Sequence, residues 1–189
     1  MIAEVEREIL AVPSVEPEPT DLQLREAADA QLRVIADETG LDFESLAVEY
    51  HKVDLIELAM TKFPILLDLV PVHHFSNGLY AREQAIPAGT MITGVSHREE
   101  HFSVISNGSM DVWTPFEGMK RVKAPFMFRA QPGTRRVALI YEDLVWTCFH
   151  ATDETDLENL QKELYFEYTN PLLGYKGLER WRELSLPRQ

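Results

Sequence analysis

Apolar residues recur along this chain at two periods, and the change of period divides it. Leu22, Leu24, Ala27, Ala28, Leu32, Ile35 and Ala36 return at helical spacing. Thr20 or Asp21 offers an N-cap and Gly40 a stop, so the spacing predicts a helix from about residue 21 to 38. A second helical pattern, Phe43, Leu46, Ala47, Tyr50, Val53, Leu55, Ile56, Leu58 and Ala59, is broken by Pro64. Its apolar residues occupy more than one face, so this helix calls for a partner surface on its own chain or on a sister subunit.

From Phe75 onward the period shortens. The runs GLYAREQAI, HFSVIS, SMDVW, APFMFRA, RRVALIY and LVWTCFH alternate with Pro, Gly, Asn and Asp turn signals. A turn is expected at Glu142 and Asp143, between the last two runs. Several short strands at such spacing predict a mainly β sandwich or barrel. After Ala151, the run DETDLENLQKEL places acidic residues in a first turn and carries Leu157, Leu160 and Leu164, which predicts a short helix. The expected organisation is an extended acidic arm over 1–19, a helical segment over 20–70, a barrel over 71–152, and a C-terminal helix with an aromatic tail over 153–189. The arm carries Glu4, Glu6, Glu8, Glu16 and Glu18 among Pro13, Pro17 and Pro19, a composition unable to bury a core of its own.

Composition narrows the partners. A chain of 189 residues with 45% hydrophobic content suits one compact domain with attached helices. Its 18 Lys and Arg stand against 31 Asp and Glu, and a formal charge of −13 repels phosphate backbones, so nucleic acid is not an expected partner. Cys148 is the one cysteine, which excludes an intrachain disulfide. The start lacks the basic flank and apolar core of a signal peptide, so the protein is expected to be cytoplasmic when synthesised. The apolar run from Phe63 to Val72 is interrupted by Pro64, Asp68 and Pro71, and no membrane span is expected.

Candidate chemistry lies between Pro87 and Trp113. On a regular strand His97, Glu99 and His101 share one face, and imidazoles with a carboxylate suit one divalent transition metal, Fe, Mn, Ni or Zn. A third imidazole is needed: His150 closes the run LVWTCFH, and with the turn at Glu142 and Asp143 that strand would return across the barrel, while its rival, His74, starts the first barrel strand. The alternative is that His97 and His101 are polar residues on a solvated barrel face. Tyr80, Trp113, Phe128 and Trp146 read as barrel core, the alternative being a stacking platform, with Tyr80 a candidate ligand-binding residue, and Cys148 reads as a small buried hydrophobe.

The β-rich part resembles the cupins, double-sheet jelly-roll barrels (the double-stranded β-helix). Pro87, Gly89, His97, Glu100, His101 and Gly108 stand in for the first cupin motif, with His97 at the second histidine place, His101 where the ligand glutamate sits, and Val95 at the first histidine place. Glu99 is thus the candidate carboxylate by strand geometry, and Glu100 by motif. Gln131, Pro132, Gly133, Thr134, Arg135 and Arg136 resemble the second motif, with Arg136 where its last histidine belongs. The stretch from Pro71 to Thr152, through PVHHF, GLYARE, IPAGT, HREEH, APF, PGTRRV and EDLVWTCFH, is similar to cupin-like proteins encoded by bacteriophages and prophages, a group without a settled activity.

An inward Arg136 would need an anionic partner, and Arg82, at alternate spacing with Tyr80, could share its pocket. The alternative for Arg82 is an ion pair with Glu99 or Asp143. Two functions follow. One is a mononuclear metal site with an acidic small molecule steered by Arg136 or Arg82. The other is a non-catalytic, virion-associated assembly module whose arm, helices and tail contact other proteins. A homo-oligomer is expected under both, because the second helix has more apolar surface than one barrel face can cover.

Overall fold

The computed structural model describes residues 18–63, 67, 69–115, 117–174 and 177. Nearly all of the expected acidic arm and the last part of the aromatic tail lie outside the described residues. Helix α1 (Asp21–Thr39) starts at a capping box in which Thr20 and Gln23 satisfy each other's main-chain N–H groups. It ends at Gly40, whose φ of 70° suits glycine and lets its N–H reach the carbonyl of Ala36. Helix α2 (Phe43–Met60) is capped by Asp42, which accepts from the Ser45 N–H at 2.9 Å. The two helices pack through Leu32, Ile35, Ala36, Leu46 and Tyr50, with Phe166 closing the cluster.

Seven strands follow: β1 (Val72–Ser76), β2 (Leu79–Ile86), β3 (Met91–Thr93), β4 (His101–Thr114), β5 (Gly118–Lys123), β6 (Phe126–Ala130) and β7 (Val137–His150). Helix α3 (Leu157–Leu164) follows β7, with Asp156 accepting from the Glu158 and Asn159 N–H groups at its start, and a short 3-10 turn (Pro171–Leu173) comes after it. All strand pairs are antiparallel, and β4 and β7 pair along nearly their whole length, from Phe102 opposite Phe149 to Trp113 opposite Val137. On its other side β4 pairs first with β6 and then with β5. The first half of β7 pairs with β3, and its second half with β2, which pairs with β1. Two half-sheets thus share β4 and β7, and they cover one core: Ile86, Ile105, Met110, Val112, Val122, Ala138, Ile140 and Leu144 come from both halves. This is the mainly β jelly-roll expected, with two N-terminal helices and one C-terminal helix.

One expectation fails instructively. There is no turn at Glu142 and Asp143; HFSVIS joins SMDVW in one strand, and RRVALIY joins LVWTCFH in another. The turn-type residues instead build a bend where the β4–β7 register shifts between Ile105 and Met110. Asn107 Nδ2 donates to the Asp143 carbonyl at 2.6 Å, and the Asp143 carboxylate accepts from the Ala88 N–H at 2.9 Å. Gly108, at φ 85°, lies so close to β7 that an added Cβ would meet the Glu142 carbonyl oxygen at 2.8 Å.

The helices are tied to the barrel by a buried polar network that the sequence reading did not anticipate. Arg135 Nη1 donates to Asp54 at 2.8 Å, and its other terminal nitrogen bonds Glu57. Tyr168 donates to Asp54 at 2.7 Å, Asn170 to Glu57 at 2.9 Å, and Thr93 to Glu57 at 3.0 Å. The Tyr50 hydroxyl adds a bond to the Gly133 carbonyl at 3.1 Å. Together these anchor α2 on the loop after β6, on β3 and on the segment after α3. Among the described residues, no helix is long and apolar enough to cross a membrane.

Candidate metal centre

The antiparallel register explains how the site assembles. Residues directly opposite on paired strands point to the same face. Phe102 pairs with Phe149, so one step further along the same register sets His101, the first residue of β4, across from His150, the last of β7. Buried and exposed positions alternate from His101 to Ile105, which puts His101, Ser103 and Ile105 inside. On the other side of β7, Tyr80, Arg82 and Gln84 pair with His150, Cys148 and Trp146, and form the next inward row.

His97 arrives differently. The strand expected through residues 97 to 101 does not form; His97 makes a single bridge to Tyr165, and the chain bends at Arg98 and Glu99 before β4 begins. Main-chain bonds hold this loop in place. The His97 carbonyl accepts from Gly133, the Ser96 carbonyl from Phe166, and the Arg98 N–H reaches Leu164, all at 2.9 Å. The segment after α3 is therefore a wall of the site, and the Tyr165 ring stands edge-on to His97 at 4.7 Å between centroids.

Ring centroids lie 4.0 Å apart for His97 and His101, 4.6 Å for His101 and His150, and 5.1 Å for His97 and His150. One ring nitrogen from each falls within 4.8 Å of the other two. The residues are only 7%, 4% and 3% exposed, in sequence order. Burial disfavours the charged form of each, and neighbouring positive charge adds to it. His97 is held well below the usual histidine range, His101 is lowered to about 3, and His150 to about 4. All three are neutral imidazoles at neutral pH.

The tautomer of His101 follows from its neighbour. Its Nδ1 lies 3.3 Å from the Glu99 carbonyl, which can only accept, so Nδ1 carries the proton and Nε2 keeps a lone pair. That Nε2 has no hydrogen-bond partner among the described residues, nor do His97 Nδ1 and His150 Nε2. Buried polar atoms without partners are rare and call for an explanation. A metal ion accepting three neutral nitrogen lone pairs fits them.

The other predicted residues are placed elsewhere. His74 is exposed on β1, 3.9 Å from Glu83. The Glu99 carboxylate is exposed and contributes its carbonyl instead, while Glu100 pairs with Arg129 at 3.3 Å. Tyr80 is buried with Leu160 and Leu164, and its hydroxyl is 2.7 Å from His73 Nδ1. Arg82 donates to Gln84 at 3.2 Å rather than pairing with Glu99 or Asp143. Arg136 is 6% exposed and has no ion pair among the described residues; burial pulls it below the usual arginine range. Phe128 and Trp146 pack against the core as expected, whereas Cys148, expected to be buried, is half-buried in the cavity wall, where desolvation raises its thiol above its ordinary range.

A cavity of about 800 Å³ opens beside the cluster, lined in part by His97, Arg136, Arg82, Trp146 and Cys148, with Met60 and Phe63 across from them. Arg135 and Tyr165 are the structural residues that sequence reasoning missed. A usable signal existed for Tyr165, in the aromatic run after α3 that had to pack on something.

No protein-family model and no curated protein sequence matches the chain. Among solved structures it is similar to KdgF from a Halomonas species, with 16% identity over 48% of this chain and 86% of that one, at a TM-score of 0.39. It is similar also to a cupin-2 domain containing protein from Shewanella frigidimarina, with 8% identity over 53% of this chain and 98% of that one, at a TM-score of 0.38. The cupin domain of Cnp3 from Schizosaccharomyces pombe gives 18% identity over 55% of this chain and 76% of that one, at a TM-score of 0.38. Of these three, the Shewanella and Schizosaccharomyces proteins are cupins.

Proposed function

We propose that the barrel holds one divalent transition metal on His97, His101 and His150 and presents it to a small organic anion entering through the adjacent cavity. One observation carries this: three buried, neutral imidazoles bring ring nitrogens within 4.8 Å of one another, and each has a ring nitrogen without a hydrogen-bond partner among the described residues. A set made wholly of imidazoles favours Zn, Ni or Fe over Mn, which prefers oxygen donors. Three protein ligands leave coordination positions open, and a metal there would supply Lewis-acid chemistry to a bound oxygen donor.

The chain's own residues serve this arrangement. The Glu99 carbonyl orients His101, and the Gly133 N–H holds the His97 loop. Tyr165 covers His97 from one side. Arg136 supplies the positive charge that would draw an anion to the cavity. Val48 and Leu55, exposed on α2, are left for contact with a second copy, and the arm and tail for a protein partner such as a virion component. Sedimentation equilibrium tests the first of these.

Cobalt(II) tests the metal site. Titrated into metal-free protein, it should saturate at about one equivalent and develop visible absorption bands of nitrogen coordination, and His101→Ala and His150→Ala should each abolish them. Folded wild-type protein that develops no bands would overturn the proposal.

A further inference from the structure

The charged side chains that line the cavity beside His97 are of one sign. In a chain with 31 acidic residues, no carboxylate lines it among the described residues, and its charged side chains are Arg82 and Arg136. Arg136 has no ion pair among the described residues, and its buried Nε has no hydrogen-bond partner among them. The amide oxygen of Gln84, which also lines the cavity, is engaged by Arg82 at 3.2 Å. Much of the remaining wall is apolar, from Met60, Phe63, Leu67, Leu69, Ile92 and Leu139.

An enclosed cation without a counterion is costly, and so is a buried N–H without an acceptor. The first is relieved by a group that is anionic and offers acceptor oxygens to the Arg136 guanidinium. The volume of about 800 Å³ exceeds what such a group alone would fill, and the apolar wall gains by covering hydrocarbon. We infer that the cavity binds an amphipathic carboxylate, with its carboxylate on the Arg136 guanidinium and its apolar body against the residues at the end of α2. This deepens the reading of the metal centre and rests on it for the role of His97, whereas binding of the carboxylate itself requires no metal.

Calorimetric titration of octanoate into metal-free and zinc-loaded protein tests the inference, with 1-octanol, octylamine and acetate as controls. Octanoate should bind metal-free protein at least about tenfold more tightly than each control, since octanol and octylamine lack the charge and acetate lacks the body. Arg136→Met should weaken octanoate at least about thirtyfold, as loss of a buried charge partner does. Equal binding of octylamine or octanol to wild-type protein would overturn the inference, as would a folded Arg136→Met protein with unchanged affinity. Zinc binding without octanoate binding would overturn this inference alone. Octanoate binding to a protein that takes up no metal would overturn the metal centre alone.

Discussion

Arg135 and Arg136 are adjacent in the chain, both 6% exposed, and meet opposite surroundings. Arg135 is bound by Asp54 and Glu57 of α2, whereas Arg136 faces the cavity without an ion pair among the described residues. One of these cations anchors a helix. The other is available to a ligand.

Removing the anchor should be expensive. Arg135→Met leaves two carboxylates buried beside each other, and breaking such a pair typically costs about 3–5 kcal/mol. Burial already raises Asp54, against the pull of Tyr168 and Arg135, so the loss should push it further toward its neutral form. Urea denaturation should show this loss. Adding Asp54→Asn and Glu57→Gln to Arg135→Met should recover part of it; no recovery would mean that packing, and not unpaired charge, sets the cost.

The bend between the half-sheets depends on the absence of a side chain at Gly108. Gly108→Ala must hold a φ of 85° and move the β7 backbone at Glu142 and Asp143. A cost of about 2–4 kcal/mol follows from strain and displaced packing combined. Gly40→Ala, also at positive φ but with nothing within 4 Å of the added Cβ, should cost less. Thermal denaturation of the two variants compares them directly, and an equal loss would remove the close approach to β7 as the cause.

Acid should destabilise the metal-free protein through its histidines. Their folded pKa values lie below the ordinary 6.5, at about 3 for His101 and about 4 for His150, so below pH 6.5 the unfolded chain binds more protons. Stability is therefore full above pH 6.5 and is lost as pH falls toward the folded values. Each histidine contributes a slope approaching about 1.4 kcal/mol per pH unit. Denaturant unfolding between pH 7.5 and 5 should show the decline, and His101→Gln should make it shallower. A profile flat over that range would contradict the neutral, buried state of the cluster.

Much of the frame was legible in the sequence because it is locally encoded. Thr20 and Gly40 mark the ends of the first helix by their own chemistry, and the period-2 runs mark strands. Joining those runs was not local: Asn107, Gly108, Glu142 and Asp143 look like two turns, and become one bend only because they face each other across β4 and β7. The histidine cluster was partly legible for the same reason. His97 and His101 were paired by strand parity, yet His97 reaches the site from a loop held by Gly133 and Phe166. The same parity selected Glu99, whose carboxylate is exposed, while its carbonyl orients His101. Arg135 escaped notice because its partners lie 78 and 81 positions away.

The central claim is tested most directly by elemental analysis of untagged protein, wild type beside His97→Ala and His101→Ala. Wild-type protein should carry about one equivalent of Zn, Ni or Fe, and both variants should lose it while remaining folded. Folded wild-type protein that holds no metal after equilibration with excess Fe, Mn, Ni and Zn salts, or variants that retain it, would contradict the assignment of this cluster as a metal centre.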